Sequence, residues 1–327
     1  MQTRGGVSVR YRRLGRTNLQ VSEVGFGAWA IGGYKHGHSY GPTDNAESLR
    51  AMARALELGC TFFDTADLYG HGLSEKLLGQ ALQTHRHECV IATKVGSDFY
   101  HGPFRKNFDA DYIRFALEKS LERLRTDYID LYQLHNPPLM LLERGTHYAV
   151  LDELKQQGKI RYYGVSVHDA YEGSMAIATG KPDVIQVAYN FLRQDPREDL
   201  FPFAQEHDIG LIIREPLANG MLTGKYTVTT TFGEGDMRSE WPPEFLALQA
   251  RLAEKARFLV TPERTLAQAA LRFVLDAPAV SVVIPGMKTV AQAVENLAAS
   301  ELAALTEDEH ARIQGLLEDM LDEEEVL

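Results

Sequence analysis

Short apolar runs alternate with amphipathic stretches along nearly the whole chain, which predicts a repeating strand–helix order. Residues 14–21 read as a small hairpin, with Gly15 and Asn18 as turn residues between apolar positions. Candidate strands follow at residues 24–27, 61–63, 90–94, 129–135, 161–166, 184–188, 210–214 and 281–284. The second delivers Asp64 at its end, and the fourth is halted by Pro137-Pro138. Between them fall helical faces such as Ala46, Leu49, Ala53 and Leu56 behind an Asp44 cap. Another face is Ile113, Leu117, Leu121 and Leu124 behind Asp109. Further helices are expected from about Ser74, over 146–157 with Gly158 as C-cap, up to 179, up to 207, and over 243–258. Thr265 with Gln268, and Thr289 with Gln292, have capping-box spacing. A last helix over 306–320 turns Ile313, Leu317 and Met320 inward, and the acidic stretch 318–325 reads as a solvated tail. Eight such units in 327 residues favour an α/β fold of the closed (β/α)8 TIM-barrel type over an open sheet. It carries an N-terminal β-hairpin and a C-terminal helix. No linker or shift in composition divides the chain, so residues 1–327 read as a single domain.

A net charge of −11 argues against nucleic acid as the main partner. Two cysteines, Cys60 and Cys89, exclude a disulfide framework, and no Cys/His cluster suggests zinc, so no metal is expected. The first residues are basic and polar without an apolar signal-peptide core, and no apolar run reaches membrane-spanning length. A cytoplasmic protein away from membranes is expected, monomeric or a simple homo-oligomer. Gly25-Phe26-Gly27-Ala28-Trp29-Ala30 formally matches a dinucleotide fingerprint. That motif needs a helix to open at its second glycine, whereas Gly32, Gly33, Gly37, Gly41 and Pro42 forbid one before about Thr43. The run reads as a glycine-rich loop after a strand.

In a barrel, polar residues at the C-terminal strand ends are the candidates for chemistry. Asp64 ends strand two, Lys94 strand three, His135 strand four, Ser166 strand five and Arg214 strand seven, and Gln186 sits near the end of strand six. Tyr69 follows Asp64 on a loop closed by Gly70. A phenol titrates near 10, so it becomes a proton donor and acceptor near neutrality only if a neighbour lowers that value. Lys94, ion-paired with Asp64, would supply the positive charge, and His135 could orient a carbonyl oxygen. Such a set suits carbonyl reduction, with hydride drawn from a cofactor.

Asp64, Tyr69, Lys94 and His135, in this order and at these positions, resemble the catalytic tetrad of the aldo-keto reductases. The resemblance runs from the hairpin to Asn296 and includes residues 27–33, Gly164-Val165-Ser166, 186–190, 216–226, Ile284-Pro285-Gly286 and Glu295-Asn296. It implies an NAD(P)H-dependent reductase with Tyr69 as general acid, Lys94 and His135 as its tuners and Asp64 as partner of Lys94. It places Ser166 and Gln186 at the nicotinamide carboxamide and Arg214 where many members stack an aromatic ring. Lys225 would meet the pyrophosphate, and Lys288, Gln292 and Asn296 the adenosine end. Trp29, Asp64, Pro216, Leu217, Gly286 and Glu295 complete the implied cofactor contacts. Trp29, Tyr69, His135 and Asn136 face the substrate. Gln292 has a second reading as capping-box partner only.

Two departures matter. Val167 stands where many members carry an asparagine for the carboxamide, with His168 as a possible substitute. Gln292 stands where some carry an arginine for the 2′-phosphate, leaving Lys288 to pair with it. NADP(H) is therefore preferred over NAD(H). The leading expectation is reduction of small aldehydes or ketones. A sugar or polyol dehydrogenase uses the same residues in reverse, and a cofactor-bound redox sensor with slow turnover is the reading from another class. Tyr34, Tyr100, Phe104 and Trp241 are further candidates for the substrate wall, and residues 227–240 read as a loop that is mobile before cofactor binds.

Overall fold

The computed structural model describes residues 9–36 and 39–324, apart from the side chains of 317 and 319–324. A hairpin of β1 (Tyr11–Arg13) and β2 (Gln20–Ser22) precedes an eight-stranded parallel sheet. The sheet runs through β3 (Phe26–Gly27), β4 (Phe62–Asp64) and β5 (Val90–Val95). A small antiparallel ribbon, β6 (Ser97–Asp98) with β7 (Arg105–Lys106), lies beyond β5. The sheet continues with β8 (Ile129–His135), β9 (Ile160–Ser166), β10 (Val184–Ala188), β11 (Gly210–Arg214) and β12 (Val280–Val283). Each strand pairs with its neighbour in chain order, as right-handed crossovers through intervening helices dictate.

The two sheet edges meet. Gly25 N–H donates to Val283 O at 2.8 Å and Gly27 N–H to Pro285 O at 3.0 Å, with parallel bridges at Val24–Val283 and Gly27–Gly286. A Cβ on Gly27 would stand 2.6 Å from Ile284 O and 2.7 Å from Pro285 O. The glycines of the false fingerprint thus serve closure of the barrel, and the first helix starts only at Asn45.

The strand period of two sets up the interior in layers. Phe62, Ala92, Leu131, Val184 and Ile212 form one apolar cluster inside the barrel, sealed from below by Leu14 and Val21 of the hairpin. Two residues further along each of those strands stand Asp64, Lys94, Gln133, Gln186 and Arg214, on the same face. An apolar floor therefore carries a polar layer towards the C-terminal mouth.

Around the sheet lie α1 (Asn45–Glu57), α2 (Leu73–Leu82), α3 (Ala110–Leu124), α4 (Leu139–Arg144), α5 (Tyr148–Gln156), α6 (Ala170–Ala178) and α7 (Leu200–Glu206). They are followed by α8 (Pro243–Lys255), α9 (Leu266–Leu275), α10 (Val290–Ala298) and α11 (Glu307–Glu324). Asp44 caps α1 by accepting from the amides of Ala46 and Glu47, and Thr265 with Gln268 forms a full capping box. Asp109 occupies the cap position of α3 without a capping bond; Asn107 Oδ1 accepts the Asp109 amide instead. The helix expected over 146–157 is preceded by a separate one, because Pro138 opens α4 rather than ending the segment. Ile313 is buried as expected, while Leu317 and Met320 lie outside the described side chains. The acidic stretch expected as a tail continues α11 to Glu324. Among the described residues no helix is long and apolar enough to cross a membrane.

Candidate active site

Pairing register brings the polar layer together. Lys94 lies beside Gln133, His135 beside Ser166, and Gln186 beside Ser166 on the other side. Lys94 is fully buried, and its ammonium donates to Asp64 Oδ1 at 2.5 Å, Thr65 O at 2.9 Å and Tyr69 Oη at 3.2 Å. An ammonium has three hydrogens, so these three acceptors use its full capacity. Asp64 Oδ2 accepts from Gln186 Nε2 at 2.8 Å and from Gln133 Nε2 at 3.2 Å. Burial works against the charge on Lys94, but Asp64 and Tyr69 outweigh it and raise the lysine pKa.

Tyr69 behaves differently from the sequence expectation. Burial is the largest influence and raises its pKa; Lys94 pulls it down, and Asp64 pushes it back up. Lys94 does not bring the phenol towards neutrality, because burial outweighs it and Asp64 takes back part of its charge. Tyr69 is therefore a protonated donor at neutral pH. Its ring lies 5.9 Å from that of His135 at 83°, and 6.3 Å from Trp29. His135 is held well below the ordinary imidazole value, first by burial and then by Lys94, Lys106 and Arg214. It is neutral, and its Nδ1 is buried without a partner.

A cavity of about 390 Å3 opens above this cluster. Trp29, Asp64, Tyr69, His135, Asn136, Ser166, Gln186, Arg214, Pro216, Leu217, Lys225, Gly286, Lys288 and Gln292 all line it. Glu295 and Asn296 do not: Glu295 accepts from Thr265 Oγ1 at 2.9 Å, and Asn296 is buried in α10. Gln292 lines the cavity, but its Oε1 accepts the Lys288 amide at 2.8 Å instead of the Thr289 amide, so the capping-box reading of its side chain does not hold. His168 turns away to Glu172 and does not replace the missing asparagine. Asn136 Oδ1 instead accepts from Ser166 Oγ at 3.3 Å. Arg214 donates to Val167 O at 3.0 Å and pairs with Glu215, and its Nε is buried without a partner. Tyr34, Tyr100, Phe104 and Trp241 stand outside the cavity wall. Asp67, beside the site, is fully buried with neither oxygen in a well-formed hydrogen bond. Burial, then Glu75, raises its pKa.

Sequence reading missed Gln133 and Arg238. Gln133 had a signal: it shares a strand face with His135 inside an apolar run. Arg238 had none, since it sits in the aperiodic interruption after β11. It is 5% exposed, bonds Asp236, Asn219 O and Tyr226 Oη, and packs on the Phe232 ring at 4.0 Å. These contacts pin the second half of the loop over 227–240. Four cations, Arg214, Lys225, Arg238 and Lys288, line the cavity against two acids, Asp64 and Glu215. In a chain of net charge −11 that excess marks a place for an anionic ligand. Among the described residues no group of three or more His, Cys, Asp or Glu could hold a metal ion.

Fold and site together define a (β/α)8 barrel enzyme. The profile of the aldo/keto reductase family matches residues 23–318, and the chain belongs to that family, whose members are NAD(P)H-dependent oxidoreductases. It is 34% identical over 309 residues to the uncharacterized oxidoreductase YqkF of Bacillus subtilis, covering 94% of this chain and 96% of that one. Among solved structures it resembles aldo-keto reductase AKR11C1 from Bacillus halodurans in its holo form, with TM-score 0.77, 32% identity and 94% and 96% of the two chains covered. It also resembles glycerol dehydrogenase AKR11B4 from Gluconobacter oxydans, with TM-score 0.80, 28% identity and 94% of each chain covered. Relatives include one named for NADP(+) and one named NADH-specific.

Proposed function

We propose that the protein reduces small aldehydes or ketones to alcohols with NADPH, and that Tyr69 delivers the proton. The observation that carries this is the half-buried Tyr69, whose hydroxyl lies 3.2 Å from the Lys94 ammonium at the floor of a cation-lined cavity. The residues present suit a dinucleotide. Ser166, Asn136 and the side-chain Oε1 of Gln186 offer hydrogen bonds to a carboxamide, and the planar guanidinium of Arg214 offers a stacking face. Pro216, Leu217 and Gly286 shape the wall. Lys225 would hold the pyrophosphate and Lys288 with Gln292 the adenosine ribose, with Glu295 and Asn296 behind that end. Bound there, the cofactor supplies the hydride. Trp29, His135 and Asn136 bound the substrate side.

The remaining steps belong to the chain. His135, neutral, hydrogen-bonds the carbonyl oxygen and fixes its direction. Tyr69 donates its proton as negative charge develops on that oxygen, and Lys94 stabilises the phenolate left behind. Asp64, held by two glutamines, keeps the ammonium in place. The raised phenol pKa keeps the donor protonated at neutral pH, which favours reduction. The glycerol dehydrogenase resemblance supports a second reading, oxidation of a polyol. There Tyr69 must first lose its proton, so that activity rises with pH.

Absorbance decay of NADPH and of NADH with a panel of aldehydes, and the reverse assay with polyols, tests the proposal. Tyr69→Phe should lower turnover by about 10²–10⁴-fold with cofactor affinity retained. A variant as fast as the parent would remove Tyr69 from the reaction.

A further inference from the structure

Four flat rings stand as a column at the rim of the cavity. His36 and His71 stack at 4.0 Å and 17°, His71 and Phe99 at 4.3 Å and 12°, and Phe99 and Tyr100 at 4.3 Å and 27°. The far end is anchored in the core. The Tyr100 hydroxyl accepts from Arg123 Nη1, and Arg123 is ion-paired with the fully buried Glu75 at 2.6 Å. Phe115 meets the Tyr100 ring edge-on at 5.1 Å. The near end is His36, which lines the same cavity as Tyr69 and Trp29.

The loop carrying His36 is supported on both sides. The Tyr34 ring occupies the space over Gly235, where a Cβ would meet Tyr34 Cδ2 at 2.9 Å. The Tyr40 hydroxyl donates to Asn219 Oδ1 at 2.6 Å, and its ring lies 4.9 Å from that of Trp29. Backbone strain marks the middle of the column. His71 holds φ +49 between Gly70 at +61 and Gly72 at +87. A third glycine would relax this turn, yet an imidazole stands there, and such strain at a site points to a role for the side chain. Both faces of the His71 ring are covered, by His36 and Phe99. Its part is to carry the column from the core to His36. Among the described residues His71 is the only ring stacked on His36, and His36 is itself exposed, which leaves its other face open to a further ring.

We propose that His36 is a specificity-determining residue. Its open face accepts one more planar ring, and the site selects carbonyl compounds whose carbonyl is attached to an aromatic ring system. This rests on the carbonyl-reduction reading above. A stacked aromatic pair contributes enough to change a rate ratio by about three- to tenfold.

The test compares benzaldehyde with cyclohexanecarbaldehyde, which keeps the six-membered ring but removes its π face. The ratio of their kcat/KM values is measured for the parent, His36→Ala and His36→Phe. Intrinsic reactivity cancels between variants. His36→Ala should lower the aromatic-to-saturated ratio about three- to tenfold, and His36→Phe, which restores a flat ring, should recover it. Equal ratios in the parent and His36→Ala overturn the proposal. Binding of benzamide and cyclohexanecarboxamide to the NADP(+)-saturated protein, followed by ligand-observed NMR, separates this from the reaction itself. Preferential benzamide binding that His36→Ala abolishes, without turnover of any aldehyde, sinks the reductase reading and leaves the ring site standing. No preference for benzamide in the parent overturns the ring site whatever the turnover.

Discussion

At the residue scale, the site turns on how one ammonium is shared. Lys94 gives hydrogens to Asp64, Thr65 and Tyr69, and Asp64 is held in turn by Gln133 and Gln186. A sequence can show that a lysine, an acid and a phenol end neighbouring strands. It cannot show that Asp64 takes back part of the charge that Lys94 offers the phenol, because that depends on distances between two strands and the loop after one of them. Gln133 was legible as an inward polar residue, but its partner was not. Lys288 is the test of the preferred cofactor. Its Nζ donates to Tyr40 O at 3.1 Å, and burial, then Arg238, lowers its pKa. One neutral acceptor leaves two hydrogens for a phosphate. Lys288→Ala should raise the Kd for NADPH about tenfold, the scale of a charge-assisted hydrogen bond, and that for NADH much less. Fluorescence titration of both cofactors reads this, and equal losses would refute the 2′-phosphate assignment.

At the scale of elements, helix starts were readable and their partners only in part. Asp44 and Thr265 cap as their spacing demands. Thr289 accepts the Gln292 amide, but the Gln292 side chain reaches Lys288 N–H rather than the cap residue, so the second box is displaced by one residue. The break between α4 and α5 falls at Gly145, φ +63, and puts His147 at the start of α5. His147 is 4% exposed, neither ring nitrogen has a partner, and burial pushes its pKa down to about 4. The unfolded chain binds a proton near 6.5 that the native state refuses until about 4. The resulting stability is therefore complete above pH 6.5 and is lost as pH falls towards 4. A shift of this size corresponds to about 3 kcal/mol. Urea unfolding at pH 7 and 4.5 should show His147→Phe losing about 2 kcal/mol less than the parent between the two conditions. Identical losses would show that the ring is solvated or paired.

At the scale of the whole molecule, the two ends of the barrel do different work. The lower end is closed by Leu14 and Val21 and tied by buried charges: Asp130 to Arg86 and Arg161, and Glu23 to Arg12. The upper end holds the cations and the open cavity. Leu14→Ala should cost about 2–5 kcal/mol in unfolding free energy, because Leu14 is fully buried and its truncation leaves a cavity in the plug. Its kcat/KM should stay at the parent value; a matching loss of activity would mean that the floor and the mouth are coupled.

Eight strands in order, and the ends of the strands as the place for Asp64, Tyr69, Lys94, His135, Ser166 and Gln186, were determined by the sequence alone. Periodicity of two and 3.6 is a local property, written in neighbouring residues. The tertiary structure alone decided that Gly27 serves barrel closure, that Glu295 and Asn296 lie behind the cavity wall, and that burial outweighs Lys94 at Tyr69. It also decided that four rings from three loops stand in one column. Each of these depends on which distant segments meet and on how much water they exclude, and neither quantity is carried by any single stretch of chain.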